Sequence, residues 1–544
     1  MAINPVYPTQ IIHEVYIGSS WVDLTHDVIG SQSCNFGISG NGPLDRIAST
    51  GNLKIILRND AGCIGGKDGY YSPNRVGSLP GWDKGLNIRQ KFIYGGITYI
   101  KYYGHIVNIQ LGSGFNKIVT VDVADWMDYA ATHPIFSPTM IFDKRMNEVV
   151  SAVLALMPIQ PLETNLQVGA DIFPTVFDTV RAQTKALTEF SKVALSELGY
   201  LYLRRGTTGE KLISEGRHVR QGGDVVSIPT GMLVYNIALE DGSGDLLLED
   251  GSYLLSYAMN YYDAIFDNSM MAADVGYGSH LFNRISVKSY PRLVDIAATT
   301  VLFSLSSPTS LAAGETKTDL RGTFRDPVGG ASKVAGMNMV TPVATTDYQM
   351  FANRDGTGTN LTANLIVTAV YGASDVLYTL HNTGGTPGYV TKLQARGKGI
   401  YIYDPIEYVN EDTASKNEYG YLELSVDMKY QQNTETAAAL ADVMLSQLKD
   451  PKISLNKITY LANYSDFAMM MFFTLDIGDL INIKESLNGV NANYYIQALD
   501  YKITPGKIIK CIYTVAEASS LSSNYWQLEM IGFSELGTTT VLGY

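Results

Sequence analysis

GISGNGPLDRIASTGNLKIILRND, residues 37–60, sets four glycines ahead of an alternating apolar stretch. Gly-rich loops before a regular element often hold phosphate. A dinucleotide loop needs G-x-G-x-x-G at a helix N-terminus, where backbone N–H groups face the pyrophosphate. Gly40 and Gly42 begin that pattern, but Asp45 stands at the third glycine and adds a negative charge. Pro43 brings a ring into the same turn. The residues after the glycines are not helical either. Leu53, Ile55 and Leu57 alternate with Asn52, Lys54, Ile56 and Arg58, a period close to two that ends at Asn59-Asp60. The stretch reads as a turn-rich loop feeding an antiparallel strand.

The 544 residues leave room for several domains. Only 17% are charged, below the usual ~25%, while Tyr (36) and Gly (51) are abundant. That composition suits strands and broad, weakly charged surfaces. The net charge is −13 and no Lys/Arg run stands out, so the footprint of a specific nucleic-acid binder is missing. An acidic protein still lets DNA pass, because like charge prevents sticking. Cys34, Cys63 and Cys511 lie far apart, with no zinc spacing, and read as reduced thiols. The opening MAINPVYPTQIIHEVY lacks a basic region followed by an apolar one, so no signal peptide is expected. The most apolar run, FAMMMFF (467–473), is too short to span a bilayer and reads as a buried strand.

Residues 1–135 read as β, with strands expected at 13–17, 53–58, 91–94, 98–103, 104–110 and 117–123. The Gly/Pro-rich segment 62–85 interrupts them as a long loop; loops of that length are usually functional or disordered, and this one is read as an interaction loop. A helix capped by Asp143 is expected through Met157, with Val149, Val150, Val153 and Leu154 on one face. A second is expected from Phe177 to Leu198, on Val180, Leu187, Phe190 and Ala194, with Gly199 as its stop. LEDGS occurs twice, at 239–243 and 248–252. A calcium loop starting at Asp241 would need Gly and Glu where Leu246 and Ser252 stand, so Asp-Gly turns are preferred. Strands at 301–305, 365–370, 376–380 and 389–395 suggest a small sandwich. A strand at 399–403 comes next, then a helix from an Asn433 or Thr434 cap through Leu448. Further strands are expected at 453–460, 480–483, 494–501, 507–515 and 526–531.

At GDLINIKESLNGVNANYYIQALDYKITPGKIIKCIYTV (478–515) the chain resembles the hub and minor tail proteins of tailed phages. Asp476, Gly478-Asp479, Asn488-Gly489, Tyr494-Tyr495-Ile496 and Pro505-Gly506 carry the likeness. The segment 21–60 resembles the opening of siphophage minor tail proteins through G-N-G-P-x-D-R-x-A. ALSELGYLYLRRG (194–206), the run 388–405 and DTASKNEYG (412–420) add to it. The resemblance implies a mainly β chain with a small helical region, built on paired β-barrels of the tail-hub type plus an inserted β-sandwich. The expected division is a barrel at 1–135, a helical or mixed domain at 136–228, a β-rich connection at 229–291, an Ig-like sandwich at 292–396, and a second barrel with one helix at 397–544. It further implies a homotrimeric baseplate hub ring at the virion tail tip, made in the host cytoplasm. Its partners would be the distal tail protein or tail tube, the tape measure and a tip or central fibre, with DNA passing unbound during ejection and possible host-surface contact.

Enzyme motifs are incomplete. GISGN (37–41) ends in Asn41 where a nucleophile elbow needs Gly. Ala61 and Asp68 break the P-loop pattern around Gly66-Lys67. His13, His26, His105, His133, His218, His280 and His381 form no metal spacing. Glu249/Asp250 and Glu411/Asp412 are adjacent pairs, which a strand would point to opposite faces. No residue is nominated as catalytic, cofactor-binding or metal-binding, no cofactor is expected, and the protein is read as a non-enzyme. A hexameric distal tail ring and a receptor- or glycan-binding tail protein are the alternatives.

Overall fold

The computed structural model describes residues 5–518, apart from 137, 179, 181–182, 221–223, 237–254 and 296–298. Both LEDGS copies and the 526–531 strand lie outside the described residues. The chain is mostly β, with six α-helices among the described residues.

Its largest element is a thirteen-stranded sheet. Seven strands come from the beginning of the chain: β1 (Gln10–Ile17), β2 (Ser20–Asp23), β3 (Val28–Gly37), β4 (Ser49–Arg58), β5 (Asn87–Tyr94), β6 (Ile97–Leu111) and β7 (Ile118–Ala124). Four come from its end: Ile453–Leu461, Leu480–Glu485, Val490–Thr504 and Ile508–Glu517. Ile265–Asp267 and Met271–Tyr277 complete it. The joint is β3. One edge pairs with β4 and the other with Val490–Thr504, which sets Cys34 opposite Tyr501 and Gly37 opposite Ala498. No ladder among the described residues closes a ring. The two β regions expected as paired barrels therefore meet in one continuous sheet over one core. In β4 the alternation works as read: Leu53, Ile55 and Leu57 are fully buried and Lys54 faces solvent. The two strands expected at 98–110 are the single β6, because Gly104 continues the extended backbone.

The six helices are α1 (Met127–Thr132), α2 (Met146–Ala155), α3 (Ala186–Glu197), α4 (Thr413–Tyr419), α5 (Thr434–Leu448) and α6 (Asp466–Thr474). Asp143 does not cap α2. It lies in a short strand at positive φ, and the N-cap is Arg145, whose backbone N–H donates to the Glu148 carboxylate. The long helix expected from Phe177 is only α3. Phe177 itself has φ 68°, and residues 183–185 pair as a strand with Pro134–Phe136. The left-handed stop of α3 is Leu198 rather than Gly199. Asn433 caps α5 as read, accepting from Glu435 N–H.

The run FAMMMFF is helix α6, not a strand. A short apolar run fits either state, and local partners decide. Ser465 accepts from Ala468 N–H at the N-terminus, and Asp466 stands in the first turn where the helix dipole favours an anion.

The sandwich is present. Gly388–Ile402 is its spine, pairing with five short strands, and a second sheet orders Thr316–Thr323, Asp375–Asn382 and Leu365–Tyr371. Leu302, Val376, Leu380, Val390 and Leu393 fill a separate core between them. A third core packs α5 against Arg284–Ser289, Ile406–Glu411 and Glu423–Asp427.

Candidate functional site

The glycine loop folds around its own carboxylate. Gly42 N–H donates to Asp45 Oδ2 at 2.8 Å, and a Cβ on Gly40 would strike that carboxyl group. The residue that spoils the phosphate pattern thus sits where an anion would bind. Gly37 has φ 112°, and a Cβ there would lie 2.5 Å from Gln497 O. It is glycine because β3 crosses the 490–504 strand closely at that point.

Next to it, three stretches that carry the tail-protein resemblance meet in one buried seam. Ala48 N–H donates to Leu201 O at 2.8 Å, and Leu201 N–H to Arg46 O at 2.9 Å. Arg46 is buried, donates to Pro43 O and to Leu198 O at the end of α3, and stacks over Tyr200. Arg220 lies in a cage of tyrosines, 3.7 Å from the Tyr200 ring centre, 5.2 Å from Tyr202 and 5.3 Å from Tyr495. It donates to Glu215 at 2.8 Å and to Gln497 Oε1 at 3.3 Å, and Glu215 also accepts from Tyr202 at 2.6 Å. A desolvated guanidinium on aromatic faces gains about 2 kcal/mol or more. The Glu215 carboxylate and the tyrosines hold Arg220 above its ordinary pKa, against a burial that acts to lower it.

The Arg204-Arg205 pair closes the other side. Arg204 meets Asp479 at 2.6 Å, and Arg205 meets Asp476 at 2.9 Å while donating to the carbonyls of Phe473, Thr474 and Leu475. Lys101 donates to Phe472 O and lies 4.5 Å over the Phe472 ring. The Arg205 guanidinium and the Lys101 amine therefore cap the C-terminus of α6, where the helix dipole is negative. Burial, helped by nearby Arg205, brings Lys101 down to about 7. Burial acts to raise Asp476, yet Arg205, Arg204 and Lys101 hold it below the usual carboxylate range. For Asp479 burial wins over Arg204 and the shift is upward.

Beneath the seam, Asp125 and Glu210 accept from Met127 and Trp126 N–H at the start of α1. Burial, reinforced by negative neighbours, raises each to about 8. A cavity of about 130 Å³ borders the seam, lined by Arg46, Tyr200, His280, Ser454, Tyr494 and Gln497.

The groups weighed for catalysis are dispersed. His13 is buried beside Gln90, and burial lowers it to about 4. His26 pairs with Asp27, His105 with Asp128, and His381 with Thr316. Glu411 binds Arg284 and Lys416, and Asp412 caps α4. Ser39 lies in the glycine loop, and Gly66-Lys67 in the 59–86 loop. That loop is pinned by buried Asp27, which accepts from Ile64 N–H and from Tyr71. Among the described residues no three His, Cys, Asp or Glu side chains are disposed to hold a metal. No helix among them is long and apolar enough to cross a membrane. The seam's chemistry is cohesion: each Arg in it is tied to a carboxylate, a ring or a carbonyl. Sequence reasoning reached Arg204, Arg205, Asp476 and Asp479 only as letters of a resemblance, and it missed Arg220, Glu215, Lys101, Asp125 and Glu210.

No protein-family model and no curated protein matches the chain. Among solved structures, a 43 kDa tail protein of prophage MuSo2 from Shewanella oneidensis is 9% identical with a TM-score of 0.44, over 93% of this chain and 98% of that one. A tail protein from Neisseria meningitidis MC58 is 7% identical with a TM-score of 0.43, over 93% and 96%. The prophage tail protein gp18 from Listeria monocytogenes EGD-e is 9% identical with a TM-score of 0.36, over 94% and 97%. These likenesses are remote and decide nothing about what this chain does.

Proposed function

We propose that the chain is a structural, non-enzymatic component of a bacteriophage tail tip, located in the virion. In this reading it forms a homotrimeric hub ring that joins the tail tube and distal tail protein to a tip or central fibre. The ring also holds the tape measure and gives DNA a path during ejection. One observation carries the reading. Three of the five segments that resemble tail proteins, 21–60, 194–206 and 478–515, come together in a single buried seam between the two ends of the chain. Chance matches scattered over 544 residues would have no reason to converge. The seam's purpose would be mechanical: to keep the two halves of the sheet rigid under load. The domain division at 1–135, 136–228, 229–291, 292–396 and 397–544 belongs to the same proposal. With a net charge of −13, an acidic lumen would let the duplex slide.

The test is the mass of the purified full chain by light scattering, with negative-stain images of the same peak. Trimers with a central hole are expected. A hexameric ring would replace the hub with a distal tail ring, and a lumen lined by Lys and Arg would sink the sliding mechanism.

A further inference from the structure

The sandwich carries an open groove of about 470 Å³ that the hub role does not use. That is within the range of small-ligand clefts, ~300–1,000 Å³. Its lining includes Phe303, Ser304, Ser306, Arg321, Thr323 and Arg325, and no carboxylate. On a chain of net charge −13, the lining presents two guanidiniums and no acid; Asp375 outside the lining balances Arg321, and Arg325 brings the uncompensated positive charge. Arg321 is steadied from behind by Asp375, whose carboxylate is buried. Arg325 is exposed and has no ion pair among the described residues. Phe303 is half-buried, and its ring rests on Gly322, where a Cβ would lie 2.7 Å from it. The ring also contacts Tyr378 at 6.1 Å between centres. The aromatic is thus held in place at the groove.

The geometry points to a binding site for an anionic saccharide, a sugar bearing a carboxylate or phosphate, of the kind displayed on cell surfaces. Each part has a partner in such a ligand. An aromatic ring takes the apolar C–H face of a sugar. Guanidiniums take carboxylate or phosphate in paired hydrogen bonds. The hydroxyls of Ser304, Ser306 and Thr323 meet sugar hydroxyls, which both donate and accept. A nucleic acid would call for a run of cations tracking its backbone, and the lining has two. The inference stands independently of the hub proposal.

The test uses the full chain against immobilised oligosaccharides bearing uronate, sialate or sugar phosphate, each beside its neutral counterpart. An Asp/Glu-rich peptide of equal charge serves as control. Binding to at least one anionic sugar and not to its neutral partner is expected. Arg325→Glu should weaken it at least tenfold with an unchanged melting temperature, and Gly322→Ala should weaken it by displacing Phe303. The site is overturned if no anionic sugar binds better than its neutral partner, if Arg325→Glu changes nothing, or if the acidic peptide binds equally well. Particle size and ring formation by Arg325→Glu report separately on the hub.

Discussion

The seam and the sandwich both bury charge, but across very different stretches of chain. In the sandwich, Arg396 grips Asp347 from 49 positions away, through two parallel contacts. In the seam, Arg205 reaches Asp476 across 271 positions, and Arg220 reaches Gln497 across 277. The sandwich has its own core, and its strands pair with one another within one stretch of chain. The seam exists only once both ends of the chain have met. Long-range pairings gain their stabilisation only after the entropy of closing the loop has been met. The seam therefore concentrates strong, geometrically specific interactions at the place where closure is most expensive.

The largest test of that contrast is Arg205→Ala. It removes the direct ion pair of buried Asp476 and strips three carbonyls at the end of α6 of the Arg205 donors. Removing one partner of a buried pair is expected to destabilise by about 3–5 kcal/mol. Denaturant unfolding should show the loss in the transition of the main sheet. An Arg205→Ala protein as stable as the wild type would mean the seam is ornamental. Leu380→Ala probes the other side. Leu380 is fully buried in the sandwich core, so about 2–5 kcal/mol should be lost there. Two thermal transitions are expected, with only one moved by this change. A single transition shifted as a whole would show that the sandwich is not energetically separate. It does touch the helical region, where Ser374 donates to Val180 O at 2.6 Å.

The same contrast explains what could be read from the sequence. The strands around β4 were legible because Leu53, Ile55 and Leu57 alternate, a signal contained within a few residues. The sandwich strands were legible for the same reason. Helix α6 was not. Its apolar run has no helical stripe, and the basic side chains that cap it, Lys101 and Arg205, sit on strands far away in sequence. Asp143 looked like a cap by residue type, but nothing local reveals that its backbone turns left-handed inside a strand. Arg220 lies in an unremarkable EGRHVR stretch, and only the arrival of Tyr495 and Gln497 makes it a caged cation. That both ends of the chain are β was legible, as the expected pair of barrels. β3 as the joint was not, since its pairing partner is chosen by the fold rather than by local pattern.

Gly37→Ala sharpens the seam at one atom. The new Cβ would meet Gln497 O at 2.5 Å and Ile477 Cδ1 at 2.7 Å, on a backbone of φ 112°. Strain of this kind is worth about 1–3 kcal/mol. The control is Gly96→Ala in the β5–β6 turn. That residue also has positive φ, but no atom lies within 4 Å, so it carries the conformational cost alone. The excess destabilisation at Gly37, measured by thermal unfolding, reports the close approach of the two ends. Equal losses at the two sites would mean that the close approach costs nothing.

The smallest effect is the most specific in sign. Asp125 and Glu210 are held protonated by burial, with folded values near 8 against ordinary values of 3.8 and 4.5. Between about pH 4 and pH 8 the folded state binds protons that the unfolded chain has released, so this pair makes stability fall as pH rises through that window. Lys101 acts in the opposite sense at higher pH. Its folded value near 7 lies below the ordinary 10.5, so stability rises with pH between those values. The double substitution Asp125→Asn, Glu210→Gln removes the first contribution and keeps an oxygen to accept from Met127 and Trp126 N–H. The variant should match the wild type near pH 4 and exceed it near pH 8, with the gap widening steadily between them. The sandwich transition, which lacks this pair, should keep its own pH profile in both proteins. A variant that gains equally at all pH values would place the effect in packing rather than in the proton, and would leave the seam without its buried acids as a distinguishing feature.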